Sequence, residues 1–344
     1  AASVVRGAAP RWYADPATTR ALAGDAAAWF DGERETLLAG VAQACRLGMS
    51  EAAWELSAHA AGYYAFRGHY RDWSSSHELA LRACQAGGDR WGEAVMTRGL
   101  GHLRMLGVDV RRGVDPEAIE AALAEFQAAG ERHAALDLLC LRAFALHRAG
   151  DPGQARALAD EAMTMAAEIG DEPALSRLWC LRAVADREQG LHEDAAVCAD
   201  HALRLAIRGN SLVARTLALR EVAAACRDHT ALTRVSQQMG EGLRICRRRN
   251  ERLLEACLLL ALGDLSLRFG RRDPAKLVAQ VMPVFEQYAV PSGRATGLRI
   301  LGESHRLGGR ADEAVRALTE AVRVTRELHD LHEQALALRA LGRA

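Results

Sequence analysis

The chain has 344 residues, half of them apolar, and its 44 basic and 44 acidic side chains cancel to zero formal charge. That balance excludes a global field for nucleic acid or an anionic membrane, and no run approaches the roughly 18 uninterrupted apolar residues of a membrane helix. Lys276 is the only lysine, a bias toward arginine that goes with the excess of alanine and reads as codon composition rather than function. Cys45, Cys84, Cys140, Cys180, Cys198, Cys226, Cys246 and Cys257 form no C-x-x-C pair. Most lie in apolar helical patterns, where a free thiol behaves as a small hydrophobe, so a reducing, cytoplasmic setting is expected.

Residues 1–24 are Ala-rich, contain Pro10 and Pro16, and lack sustained periodicity. They read as a lead-in from something upstream, in a piece of a longer protein. From Asp25, a plausible cap, helical spacing runs through Trp29, Phe30, Leu37, Leu38, Val41 and Cys45, which predicts a leading helix over 25–47. Gly48 ends it and Ser50 is expected to cap the next.

Long helical patterns then alternate with short breaks at Gly68, Gly87-Gly88-Asp89, Gly130, Gly150-Asp151-Pro152, Gly170-Asp171, Gly190, Gly209-Asn210, Asp228, Asn250, Gly270, Pro291-Ser292-Gly293, Gly309 and Asp330. One break is longer, between Leu106 and Pro116, and insertions of this kind map to one face of a repeat array. No alternating β-branched run survives between the breaks, so the expected class is all-α, in antiparallel helix pairs.

The pairs repeat. Leu139-Cys140-Leu141-Arg142-Ala143 returns as Trp179-Cys180-Leu181-Arg182-Ala183, then as Leu219-Arg220-Glu221-Val222-Ala223 and Leu259-Leu260-Ala261-Leu262-Gly263. Leu298-Arg299-Ile300-Leu301-Gly302 and Leu338-Arg339-Ala340-Leu341-Gly342 continue the beat, at a period of about 40 residues. Small residues keep time in the second helix of each unit, at Ala155 and Ala162, Ala195 and Ala202, Ala314 and Ala321, with Gly242 and Ala275 in equivalent places. The expected organisation is one continuous repeat domain over 25–344, with about seven helix pairs from residue 50 and a final helix from about 331.

With Leu-Gly in the first helix and Gly at the turn, this pattern resembles the tetratricopeptide repeat, best over Leu298–Val322. The resemblance implies a right-handed superhelix. A narrower resemblance lies in Asp25–Arg34, Ala53–Leu56 and Phe66–Trp73, which look like the start of the C-terminal repeat region of large antibiotic-regulatory-protein (SARP, AfsR-like) regulators of actinomycetes. Those are built from a DNA-binding head, a STAND-type NTPase and repeats thought to sense a ligand or partner. No G-x-x-x-x-G-K-[ST] loop and no DNA-reading domain occur in this chain, so only the sensor arm is expected here.

Catalysis is not expected, since H-E-x-x-H, G-x-S-x-G and G-x-G-x-x-G are all absent from the sequence. His329, His332 and Glu333 share one helix face, as do Cys198 and His201, but neither set completes a zinc site. No metal or cofactor is expected. Arg244, Arg247, Arg248, Arg249 and Arg252 form the densest charge run, either complementing a helix C-terminus or docking a phosphate or acidic segment.

In tetratricopeptide folds the first helices line the concave face. Carrying those positions over selects a binding set of Arg98, His102, Phe144, His147, Arg148, Arg177, Arg187, Arg220, Arg227, Arg268, Arg299 and Arg306. Asp137, Cys140, Cys180, Asp264, Glu303 and Arg339 lie beside them. Fixed guanidinium forks favour carboxylate or phosphate partners, so the expected ligand is an acidic peptide or protein segment, possibly from another domain of the same regulator. The competing expectation is that these arginines pair with acids on neighbouring repeats. A small-molecule effector in a pocket around Phe144 or Trp179 is the alternative partner, and direct nucleic-acid binding ranks last. Arg142 and Arg182 stand where other units have Leu, so those helices are expected to turn Leu141 and Leu181 inward, unless each arginine finds an acid.

Overall fold

The computed structural model describes residues 26–108, 114–270 and 273–344. The lead-in 1–24 and the expected cap Asp25 lie outside the described residues, as do positions 109–113 of the long break. Among the described residues are sixteen α-helices and no strand. They are α1 (Ala26–Arg46), α2 (Ser50–Arg67), α3 (Tyr70–Gly87), α4 (Arg90–Met105), α5 (Pro116–Ala128), α6 (Arg132–Arg148), α7 (Pro152–Ile169) and α8 (Glu172–Glu188). The series continues with α9 (His192–Arg208), α10 (Leu212–Ala225), α11 (His229–Arg248), α12 (Arg252–Phe269), α13 (Pro274–Gln287), α14 (Pro291–Leu307), α15 (Ala311–Glu327) and α16 (Leu331–Leu341). First helices of the pairs begin at residues 50, 90, 132, 172, 212, 252 and 291, with α16 following at 331. The fold is an all-α helical repeat.

Helix ends follow the side-chain chemistry at most breaks. Asp115, Asp151, Asp171, Asp228 and Asp273 each accept a backbone N–H from the first turn of the following helix, which satisfies a donor that the helix itself leaves unpaired. Two sequence expectations are corrected. Ser50 caps nothing: Met49 precedes α2, and the Ser50 hydroxyl donates to Asp89 Oδ2 at 3.1 Å, while Asp89 caps α4 through Gly92 N. Pro291-Ser292-Gly293 is no break but the first turn of α14, as suits a proline with no N–H to lose. The turn there falls on Ala289, which takes φ 53°.

First and second helices differ in how much of their circumference is covered. In α12, Leu253, Leu254, Leu258, Leu259, Leu260, Leu262 and Leu265 are all buried, so it is enclosed on nearly every side. In α15 burial follows one stripe of Ala314, Leu318, Ala321, Val322 and Thr325, joined only by Val324 near its end. Each buried leucine contributes about 1.5–3 kcal/mol. Ala155, Ala162, Ala195, Ala202, Ala314 and Ala321 are all buried, as close helix approach requires, whereas Ala275 is half-buried and Val278 takes the interior place in α13.

Contacts divide the chain into two compact units, Ala1–Met105 with Val110–Leu138, and Leu106–Asp109 with Leu139–Ala344. In the first unit Trp54 is buried beside Gly92, with its Nε1 donating to Asp89, and the His77 ring lies against Gly99. In the second, Gly302 receives Leu318, and a Cβ there would come within 2.5 Å of Leu318 Cγ. Gly62, mid-way along α2, has open space where its Cβ would stand. Thermal unfolding should separate the two glycines. Gly302→Ala is expected to destabilise by about 1–3 kcal/mol through overpacking, while Gly62→Ala should stabilise by up to about 1 kcal/mol through helix propensity.

Candidate interaction site

In the first unit, the selected positions Arg98 and His102 converge on one acid. Arg98 Nε and Nη2 donate to Asp137 Oδ2 at 2.9 and 2.7 Å, and His102 Nε2 lies 3.2 Å from the same oxygen. Arg98 is nine-tenths buried. Its charge is held by a neighbouring helix rather than offered to a ligand.

In the second unit, polar contacts run from one first helix to the next. Arg187 on α8 faces Glu221 on α10 at 3.5 Å. Arg268 on α12 donates to the carbonyls of Ala223, Ala224 and Cys226, at the end of α10. That helix stops at Cys226 in an extended conformation without an αL glycine, so the guanidinium supplies the donors its last carbonyls lack. On α14, Arg299 donates to Asp264 of α12 at 3.0 Å, to Glu303 at 3.3 Å and to Glu333 of α16 at 2.8 Å. Burial works against the Arg299 charge, but Glu333, Asp264 and Glu303 outweigh it and hold its pKa above the ordinary arginine value.

The series then returns to its beginning. His332 of α16 contacts Glu188 at the end of α8, and His147 Nε2 of α6 lies 3.3 Å from the same Glu188 oxygen. Arg148 pairs with Asp330 at 2.9 Å, and Leu331 packs against Gly150. Burial lowers the pKa of His147, with Glu188 pulling the other way.

Two selected arginines stand apart. Arg220 and Arg227 are exposed, and among the described residues no carboxylate lies within ion-pair distance of either. Arg220 acts electrostatically on the buried thiol of Cys180 and on the half-buried Cys257, and Arg177, half-buried on α8, acts on Cys180 too. Arg227 and Arg187 both act on Arg268, whose pKa is lowered chiefly by burial. Arg187 is therefore answered by Glu221, and Arg268 by Asp264, which is shared with Arg299. Arg306 is half-buried on α14, and its Nε is enclosed without a hydrogen-bond acceptor among the described residues. Phe144 is half-buried on α6, and Arg339 is exposed near the end of α16.

Leu141 and Leu181 are buried, together with Cys140 and Ala143 and with Cys180 and Ala183, while Arg142 is half-buried. Arg182 is exposed and lies over the Trp179 ring at 5.3 Å. Trp179 also packs on His201, and neither it nor Phe144 lines the cleft between α7 and α8. That cleft is walled by Ala155, Ala159, Met163, Leu178, Leu181 and His147, with Arg156, Asp160, Arg182 and Asp186 at its rim. Cys198 donates to Asp186 at 3.4 Å, and His332 and Glu333 contact different helices. In the Arg244–Arg252 run, Arg247 pairs with Glu255, and Glu241 is taken by Arg215.

Sequence reasoning missed Glu188, Glu221, Asp330 and Glu333 as partners. A usable signal existed: Glu221 follows Arg187 by 34 residues, Glu333 follows Arg299 by 34, and Asp264 precedes Arg299 by 35. No protein-family model matches the chain, and no curated protein is significantly similar to it.

The closing contact should depend on pH. Burial favours the neutral form of His147 while the contact is made. As pH falls below about 6.5, an imidazole released to solvent takes up a proton more readily than the buried one. Closure therefore loses stability toward acid. The groups facing His147 are Glu188, His332, Asp330 and Arg148, with Arg156, Asp160, Arg182 and Asp186 across the cleft. An NMR titration should give His147 a midpoint below the ordinary histidine value. The melting temperature of His147→Gln should fall less between about pH 7 and 5 than that of the unsubstituted chain.

Proposed function

We propose that this chain is a non-enzymatic sensor and interaction domain of tetratricopeptide type, which binds an acidic peptide or protein segment on the first-helix face of the Leu139–Ala344 unit. Arg220 and Arg227, exposed guanidinium groups on that face without an ion pair among the described residues, carry the reading. Arg98 and Arg299 are enclosed by the protein's own acids and contribute to the scaffold, while Arg148 is paired with Asp330. Arg220 and Arg227 are the exposed forks left for a ligand, with Arg187 and Arg268 reinforcing their field. Carboxylates suit them because two parallel N–H···O bonds add directionality to charge. A neutral chain with a local cationic face also selects for short acidic stretches rather than for long polyanions.

The resemblance of Asp25–Arg34, Ala53–Leu56 and Phe66–Trp73 to the repeat region of antibiotic-regulatory STAND regulators gives this binding a role. Occupancy of the face would relieve the restraint that the repeats place on a DNA-binding head and NTPase in the cytoplasm. A small-molecule effector is the second reading, favoured by the apolar cleft beside His147. A metabolite seated there would raise the melting temperature, whereas an acidic peptide on the arginine face would be indifferent to substitutions in the cleft.

Fluorescence anisotropy with a labelled hexaglutamate peptide tests the first reading. The double variant Arg220→Glu/Arg227→Glu should bind at least about tenfold more weakly, the scale of losing two charged hydrogen-bonding groups, with unaltered helicity. Affinity equal to that of the unsubstituted chain would remove this face from the function.

A further inference from the structure

α16 is fastened unlike the other helices of its unit. Only Ala337 and Ala340 are buried along it, while Leu331 and Leu338 remain 51% and 43% exposed. Its apolar anchorage is Ala337 against Ala321 and Val322, with Leu298 and Leu341 alongside. The N-terminal turn, in contrast, makes three polar contacts with three other helices. Asp330 reaches Arg148 at the end of α6, His332 reaches Glu188 of α8, and Glu333 reaches Arg299 of α14. Charge holds that end down more than burial does.

Arg148 is the exchangeable partner among these. Arg299 is enclosed by three carboxylates, but Arg148 is one-third exposed and its ion pair is with Asp330 alone among the described residues. Asp330 has a second task, accepting the Glu333 backbone N–H at 3.1 Å as the cap of α16. Taking Arg148 away would unfasten the turn without uncapping the helix. Replacing one carboxylate on Arg148 by another conserves the kind of interaction made, so a ligand of modest affinity is enough to shift the balance.

We propose that α16 is a displaceable clasp: the acidic segment bound by the first-helix face competes with Asp330 for Arg148, and its arrival lifts the N-terminal turn of α16 from α6 and α8. The identity of the competitor rests on the acidic-segment reading; the clasp itself rests on the contacts at Arg148 and Glu188. The two are coupled by reciprocity. Whatever loosens α16 tightens the ligand, and by the same factor the ligand loosens α16.

The test uses the whole chain, hexaglutamate as the probe, and Asp330→Asn, which keeps a capping side chain but removes the charge. Asp330→Asn should bind the peptide roughly five- to tenfold more tightly. In the unsubstituted chain, saturating peptide should speed amide exchange over residues 331–341, the reverse of the protection that ligands ordinarily confer. Peptide binding with unchanged or slower exchange in α16, or with equal or weaker affinity in Asp330→Asn, overturns the clasp and leaves the acidic-segment reading standing. Absence of binding to either protein overturns both.

Discussion

Arg299 sets the terms for the rest of the larger unit. A guanidinium removed from water must be surrounded by charge of opposite sign, or the cost of burial is several kcal/mol. Here the neutralising groups come from α12, α14 and α16, so a single side chain fixes the spacing of three successive first helices. Its three carboxylates outnumber it, and part of the excess is offset by Arg268, which also leans on Asp264 at 3.6 Å. Ion pairs of this kind add specificity of register more than stability. They suit a repeat, in which apolar helices could otherwise slide by a turn.

Arginines on the first helices therefore fall into two groups. Where an arginine pairs with an acid one repeat away, at 34 or 35 residues, it belongs to the framework. Arg220 and Arg227 make no such ion pair among the described residues, although Asp186 and Glu255 stand at that spacing from Arg220 and Glu193 from Arg227, and they sit in the middle of the unit, on α10 and just after it. The formal neutrality of the whole sequence hides this division, because many of the acids are spent inside the framework or on the outer helices. Glu320, for example, is held well below the usual carboxylate range, to about 2, by Arg323 and Arg294 on α15 and α14.

The repeat was legible because its signal is local and periodic. The 40-residue return of Leu-x-x-Leu-Gly and the alanine spacing of the second helices need only the chain's own order. Caps at Asp151, Asp171 and Asp228 were legible for the same reason. Ser50 was not, because its hydroxyl is drawn off by Asp89 in the next pair, a tertiary partner that outcompetes the local amide. Arg148 illustrates the same limit on the site: its partner, Asp330, is about 180 residues away, and no repeat spacing predicts it. Arginine positions could be read from the repeat; which arginines were already occupied depended on acids contributed from other helices.

The junction of Arg148 and Gly150 with Asp330 and Leu331 also bears on how this protein assembles. An open array of helix pairs grows by neighbour contacts, and its ends can fray without consequence for the middle. Here the last helix must find a site displayed far earlier in the chain, so contacts of short sequence separation are followed by one of very long separation. The entropic cost of that encounter rises only logarithmically with the intervening length. Once made, it ties the fate of α16 to that of α6, so that the end of the chain reports on the state of its middle.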